Sequence, residues 1–104
     1  MAIIAPDFDT GLAVAIPSGA PVAPSGGASV RFLLAATLRN TDATNAITVT
    51  ITDTAGNELI KPVNIPPDGD VDREWPFKPT TGVKWGASAA GAVGQLWGYN
   101  AWPF

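Results

Sequence analysis

The chain contains no cysteine and no histidine. This excludes thiol nucleophiles, disulfides, zinc sites built from these ligands and imidazole general bases. Serine is the remaining hydroxyl nucleophile to consider, and none of the four serines lies in a Gly-x-Ser-x-Gly or Ser-x-x-Lys pattern: Ser18, Ser25, Ser29 and Ser88. We therefore expect no enzymatic activity, no catalytic residues and no cofactor.

Carboxylates are the other groups that bind metal ions or hydrolyse glycosides. Most of the nine acidic residues fall in sequence typical of turns, where solvation is their ordinary role. Asp68, Asp70 and Asp72 alternate as at the start of a calcium-binding loop. The sixth position of that loop, however, is Arg73 instead of glycine, and the twelfth is Pro79 instead of glutamate. The segment therefore predicts a solvated acidic turn and no metal site.

The aromatic residues are concentrated in the C-terminal third, where all four tryptophans and three other rings lie within the last thirty residues. Burial is the usual fate of aromatic rings in a small domain, so we expect Phe32, Trp75 and one of Trp85 or Trp97 in the core. The remaining rings are too many for one end of so small a domain, which predicts that some are exposed. The candidate interface residues are Trp85, Trp97, Tyr99, Trp102 and Phe104.

Exposed aromatic rings indicate either a protein interface or a platform for sugars. Protein interfaces are enriched in aromatic residues and depleted in charged ones. A sugar site instead places hydrogen-bonding Asp, Asn or Arg side chains beside the ring. The charges near the aromatic strands are few, namely Arg73, Glu74, Lys78 and Lys84. This favours the protein interface and leaves the sugar platform as the alternative.

Period-two alternation of apolar and polar residues predicts the elements that position these rings. It is clearest at 47–52, where Ile47, Val49 and Ile51 alternate with three threonines. Further strands are predicted at 12–16, 30–39, 58–65 (interrupted by Pro62), 71–77, 83–89 and 92–99. No helical period is sustained, so the fold class is all-β: an antiparallel β-sandwich of jelly-roll-like or immunoglobulin-like type.

Turn-forming connections predict two hairpins, one pairing 30–39 with 47–52 and one pairing 83–89 with 92–99. The Pro- and Gly-rich stretch 17–29 has little to bury and predicts a loop or an extended arm. The expected organisation is an N-terminal arm over residues 1–29, with one short strand, followed by a sandwich core over residues 30–104 with aromatic-rich C-terminal strands.

Charged residues make up only 14% of the 104 residues, against about 25% in an average soluble domain. A free monomer of this size normally shows more charged surface, so we expect other copies or a partner to cover part of it. The net charge of −3 argues against a nucleic-acid partner. The segment Met1–Asp7 lacks the features of a secretory signal, and no apolar stretch is long enough to span a membrane, so no membrane partner is expected.

Two stretches share a sequence pattern of short Thr- and Val-rich strands joined by Gly/Asn turns. The first is 38–41 leading into 46–53 and the Gly56-Asn57 turn, and the second is 75–85 with its Ala/Gly-rich continuation to Tyr99. They resemble the small β-sandwich structural proteins of tailed bacteriophages, which include head decoration (cement) proteins.

The resemblance implies a non-enzymatic virion component, commonly a homotrimer bound to the major capsid protein. Such a protein is made in the host cytoplasm and resides on the capsid surface. The resemblance brings no catalytic residues. The alternative is a carbohydrate- or receptor-binding sandwich module of a phage tail or fibre.

Overall fold

A computed structural model describes residues 8–24, 32–79 and 82–99. All secondary-structure elements in this part of the chain are β-strands, which confirms the all-β prediction. The strands are β1 (Phe8–Asp9), β2 (Val14–Ala15), β3 (Phe32–Asn40), β4 (Ile47–Thr52), β5 (Val63–Ile65), β6 (Asp70–Pro79), β7 (Lys84–Ala87) and β8 (Ala92–Tyr99).

The strands form two antiparallel sheets that pack face to face. The large sheet has the order β1-β8-β3-β6, and β2 also pairs with β8. The small sheet has the order β5-β4-β7. Since each sheet has one apolar face, packing the two faces together removes both from water. The fold is therefore the β-sandwich that the period-two pattern predicts.

The core lies between the sheets. On β4 the alternation places Ile47, Val49 and Ile51 inward, each 0% exposed, while Thr48 and Thr50 point outward and are half-buried. The large sheet contributes the alternate residues of β3 and β8, so that their intervening residues form its outer face. Among the described residues, the other buried members of this core are Phe8, Ile16, Ala36, Leu38, Val63, Ile65, Val83, Trp85, Ala87, Ala92 and Leu96.

The strand bounds agree with the sequence prediction at 47–52 and 92–99. The strand predicted at 58–65 is shorter and begins only at Val63. Pro62 has no N–H with which to continue the ladder toward the N-terminus. Before it, Glu58 makes only an isolated bridge with Thr52.

Both predicted hairpins are wrong. Strand β3 pairs with β6 and β8, whereas β4 pairs with β5 and β7, so β3 and β4 lie in different sheets. The same is true of β7 and β8. The reason is that period-two alternation reports which face of a strand is buried, and two such strands satisfy it equally well side by side or facing each other across the core.

The buried side chain of Asn40 holds the β3–β4 crossing in place. It is 0% exposed, and its Nδ2 lies 2.8 Å from the carbonyl oxygen of Asn45, 3.1 Å from that of Ile65 and 3.2 Å from that of Pro66. Its Oδ1 accepts a hydrogen bond from the N–H of Asp42 at 2.8 Å. One side chain thus links the end of β3 to the segment before β4, which contains Asn45, and to the end of β5 and the turn after it, which contain Ile65 and Pro66.

The connection from β7 to β8 contacts the chain directly after Asn40. The N–H and the hydroxyl of Thr41 both donate to the carbonyl of Gly91, at 2.9 and 2.6 Å. Ser88 stays tied to β4, since its N–H donates to the Thr48 carbonyl and its Oγ accepts from the Thr48 N–H, both at 2.9 Å. Side-chain and backbone bonds at this end therefore replace the ladder bonds of a hairpin.

The N-terminal segment over residues 8–24 lies along the sandwich of its own chain. Strands β1 and β2 pair with β8, where only one short strand is predicted. Farther along, Val22 exchanges two backbone hydrogen bonds with Trp85, at 2.9 and 3.0 Å, and Ser18 bridges Ala87. The segment that the sequence assigns to an extended arm thus covers the free edge of β7, which protects that edge from other strands.

Glycine at position 86 makes this cover possible. A Cβ at Gly86 would lie 2.8 Å from the carbonyl oxygen of Gly19 and 3.0 Å from the Cα of Pro21. These distances are shorter than any ordinary van der Waals contact. The Pro/Gly-rich stretch and Gly86 therefore belong to one packing arrangement.

Candidate functional site

The predicted interface residue Trp85 lies in the core. Its side chain is 1% exposed, and its register partner on β4 is the fully buried Ile51. Burial leaves no ring surface for a partner, so the prediction that Trp85 lies in an interface is wrong. Of Trp85 and Trp97, one of which is expected in the core, Trp85 is the buried residue. Its position inward on β7 explains this outcome.

Trp97 is the predicted interface residue that the structure places at the surface. It lies half-buried on β8, where the inward alternate position is the fully buried Leu96. Tyr99 ends β8 opposite Phe32 in the register. Its side chain, those of Phe32 and Trp75, and the whole of Trp102 and Phe104 lie outside the described residues.

The outer face of the large sheet around Trp97 is organised in rows of register partners. The rows, running toward β6, are Asp9, Trp97, Ala35 and Glu74; then Gln95, Thr37 and Asp72; then Ala15, Val93, Arg39 and Asp70. We call this set the outer face. It carries four carboxylates and one guanidinium, and its apolar part is Trp97, Val93 and the two alanines.

A loop between β1 and β2 adds a strongly exposed apolar side chain to this face. Leu12 is 82% exposed. It lies between two residues with left-handed backbone, Gly11 at φ 86° and Ala13 at φ 53°. A positive φ is unfavourable for alanine, so the rest of the structure must hold this conformation.

Hydrogen bonds to β8 hold the Leu12 loop, defined as Thr10–Ala13. The Asp9 carboxylate accepts from the Gly11 N–H and from the Gln95 amide, each at 2.8 Å. The Thr10 hydroxyl accepts from the Leu96 N–H at 3.0 Å. The Gln95 bond first, and then the Gly11 bond, lower the pKa of Asp9 below its ordinary value of 3.8, so Asp9 is ionised at neutral pH.

Leu12 borders an open groove of about 340 Å³ on the outer face. The apolar part of its lining is Leu12, Ala13 and Val93, and its polar rim is Arg39, Asp70 and Asp72. The guanidinium of Arg39 lies 3.3 Å from the carboxylate of Asp68, outside the groove. Within the described residues, the carboxylates of Asp70 and Asp72 have no hydrogen bond or ion pair.

The outer face of the small sheet has a different character. Thr48 and Thr50 lie on it, and the Asn64 amide donates to the Thr48 hydroxyl at 3.3 Å. A second groove, of about 350 Å³, is lined by Pro21, Thr50, Thr52, Gly56, Glu58 and Lys84. With one acidic and one basic side chain, this face is neutral and mainly hydroxylic.

Two acidic residues that the sequence places in turns organise those turns. Asp53 accepts from the N–H groups of Ala55 and Asn57 at 3.0 and 2.8 Å, and its second oxygen accepts from the Asn57 amide at 3.1 Å. Asp42 accepts from the N–H groups of Thr44 and Asn45 at 2.8 and 3.0 Å. These bonds, the Asn57 side chain first for Asp53 and the Thr44 N–H first for Asp42, lower both pKa values. Their role is structural, as capping acceptors.

Asp68, Asp70 and Asp72 do not converge on one point. Asp68 forms the turn before β6 with φ 56° and pairs with Arg39, whereas Asp70 and Asp72 lie on the outer face of β6. Over residues 8–24, 32–79 and 82–99, no three acidic side chains are placed to hold one metal ion. In the same part of the chain, no helix is long and apolar enough to cross a membrane.

Sequence reasoning missed Leu12 and the groove beside it. The signal in the sequence is weak, since Leu12 falls within the short strand predicted at 12–16. What separates Leu12 from β2 is the left-handed backbone of Ala13, at φ 53°. The grouping of Leu12 with Asp70 and Asp72 depends on β8, β3 and β6 lying side by side, which no local pattern reports.

Comparison with protein-family models, with curated proteins and with solved structures finds no match to this chain. The geometry of the outer face therefore carries the functional argument.

Proposed function

We propose that this protein is a non-enzymatic structural component of a bacteriophage virion, a capsid decoration (cement) protein that binds the assembled head. The observation that carries the proposal is the outer face, where Leu12, Val93 and Trp97 keep apolar side chains at the surface of a chain with only 14% charged residues. Such surface is typical of a protein interface.

A cement function needs contact area and no reactive group. A protein that binds only the assembled shell stabilises it by its own binding free energy, through mass action. The rigid sandwich and the hydrogen-bonded Leu12 loop support this proposal, because a preorganised surface loses little conformational entropy on binding. Homo-oligomerisation, as the homotrimer that the resemblance implies, is part of the same proposal, since closed symmetry repeats one interface around an axis.

The first test is density-gradient centrifugation of the native source, with this chain detected in the fractions by mass spectrometry. We expect the chain to co-migrate with intact particles in many copies per shell. Recovery only as free protein contradicts the proposal. Native mass spectrometry of the purified chain counts the copies in the oligomer.

A carbohydrate- or receptor-binding role in a phage tail or fibre is the second candidate. It is supported by the pairing of Trp97 with Asp9 in the register, which sets a carboxylate beside a half-exposed ring. Glycan-array binding that is lost in both Trp97→Ala and Asp9→Asn, but kept in Glu58→Gln on the small sheet, favours this candidate. An array with no binding contradicts it.

A further inference from the structure

We propose that the groove beside Leu12 docks a partner segment that places an apolar side chain next to a lysine or arginine. The inference rests on the proposed function, because it names the face through which the chain meets its protein partner. The occupant is a basic protein segment that also carries an apolar side chain. The groove has an apolar half, around Leu12, and an electrostatic half, formed by Asp70 and Asp72.

The apolar half is the exposed side chain of Leu12, which the loop keeps from packing against the rest of the chain. Leu12 is 82% exposed, although Val93 of the groove lies close by. The bonds that Asp9 and Thr10 make with β8 fix the loop before Leu12, and the pairing of Val14 with Gly94 fixes the chain after it. An exposed leucine on a fixed loop is suited to bury its side chain against a partner, and burying it fully is worth about tenfold or more in affinity.

The electrostatic half is the uncompensated charge on the rim. Arg39 is the basic residue of the groove, and its guanidinium is bound to Asp68 at 3.3 Å. Asp70 and Asp72 are exposed and are left without an ion-pair partner within the described residues. A cationic side chain seated in the groove reaches both carboxylates, which favours a basic partner over a neutral one.

The same charges argue against a second copy of this face as the occupant. Face-to-face pairing of two outer faces brings Asp9, Asp70, Asp72 and Glu74 of each copy toward those of the other, against a single Arg39. Like charges brought together across an interface are repulsive. The volume of about 340 Å³ lies at the low end of ligand pockets, about 300–1,000 Å³, and suits one or two side chains of a peptide.

The test is an NMR titration of the ¹⁵N-labelled full chain with a capped pentapeptide of glycine, lysine, leucine, lysine and glycine. We expect the amide shifts to change at Leu12, Ala13, Thr37, Asp72 and Val93, and not around Thr50 and Glu58 in the second groove. Two matched peptides carry glutamate for lysine or serine for leucine, and we expect each to bind more weakly. Raising the salt concentration weakens binding of the lysine peptide, because salt screens exposed charges.

Variants separate the two halves. Leu12→Ser is expected to weaken binding about tenfold or more, and Asp70→Asn with Asp72→Asn to weaken it about 2- to 10-fold and remove most of the salt dependence. The controls are Val22→Ser, which changes a large apolar side chain of 45% exposure outside the groove, and Glu58→Gln. Both controls bind as the parent does. Since all five positions are exposed, circular dichroism and Tm are expected to stay unchanged.

Three results overturn the proposal: no residue-specific shift at millimolar peptide, equal binding of the glutamate peptide, or a concentration-dependent dimer in sedimentation velocity that Leu12→Ser abolishes. The last result assigns the face to a second copy. Failure here is distinct from failure of the proposed function. If the chain co-migrates with particles and both groove variants co-migrate equally, the groove is wrong and the virion role stands. If the peptide binds the groove but no particle carries the chain, the docking groove stands and the virion role is wrong.

Discussion

Replacement of the buried Asn40 by alanine is predicted to destabilise the protein more than loss of any exposed polar side chain. The amide Nδ2 carries two hydrogens and so makes two full bonds among its three nearby carbonyls, while Oδ1 accepts a third bond from Asp42. Three bonds at about 1 kcal/mol each, with a further 1–3 kcal/mol for leaving a buried carbonyl unpaired, give a loss of about 4–6 kcal/mol. Small domains have about 5–15 kcal/mol in total.

The measurement is urea unfolding followed by circular dichroism, with the free energy of unfolding compared between parent and variant. A loss of this size lowers Tm by roughly 15–30 °C in a domain of this length. The matched control is Asn64→Ala, which removes an exposed amide bonded to Thr48 at 3.3 Å and is expected to cost less than about 0.5 kcal/mol. If Asn40→Ala loses no more than this control, the β3–β4 crossing does not depend on that side chain and the account of the sheet crossing is refuted.

The variant Asn40→Asp tests the same site through pH. Its new carboxyl faces the carbonyl oxygens of Asn45, Ile65 and Pro66, which raises its folded-state pKa because they repel the ionised form. The folded state then binds more protons than the unfolded state, so stability relative to the parent falls as pH rises from about 4. A pH-independent difference between this variant and the parent contradicts the assigned hydrogen-bond directions.

Three further predictions concern packing and acid stability. Gly86→Ala places a Cβ 2.8 Å from the Gly19 carbonyl oxygen, so we expect the free energy of unfolding to fall by about 1–3 kcal/mol. Amide hydrogen exchange at Val22 and Trp85 should become faster, and unchanged exchange contradicts the packing of the N-terminal segment on β7. Trp85→Ala empties a fully buried site and is expected to lose about 3–5 kcal/mol by urea unfolding, a loss that an exposed interface residue does not show. The lowered pKa values of Asp9, Asp42 and Asp53 provide stability that is present above their ordinary value of 3.8 and is lost as pH falls through their folded values. A thermal melt series should show Tm falling below about pH 4, and Asp53→Asn should flatten that fall.

The all-β fold class and the course of the strongest strands can be predicted from the sequence alone. Ile47, Val49 and Ile51 point into the core and their threonine neighbours point out, because a strand has a side-chain period of two whatever its partners are. The sequence also determined that turns carry acidic residues, and it excluded thiol and imidazole chemistry through composition alone.

The order of the strands in each sheet, and therefore which side chains share a surface, cannot be predicted from local sequence patterns. The end of β3 is held by bonds from Asn40 to the carbonyls of Ile65 and Pro66, which lie 25 and 26 residues away, and no local pattern contains those partners. The same holds for Trp85 and Trp97, which have similar sequence surroundings but opposite fates. The first faces Ile51 inside, and the second lies outside beside Asp9. Burial is a property of the space between sheets, and sheet order is settled by contacts between residues that are far apart in the chain.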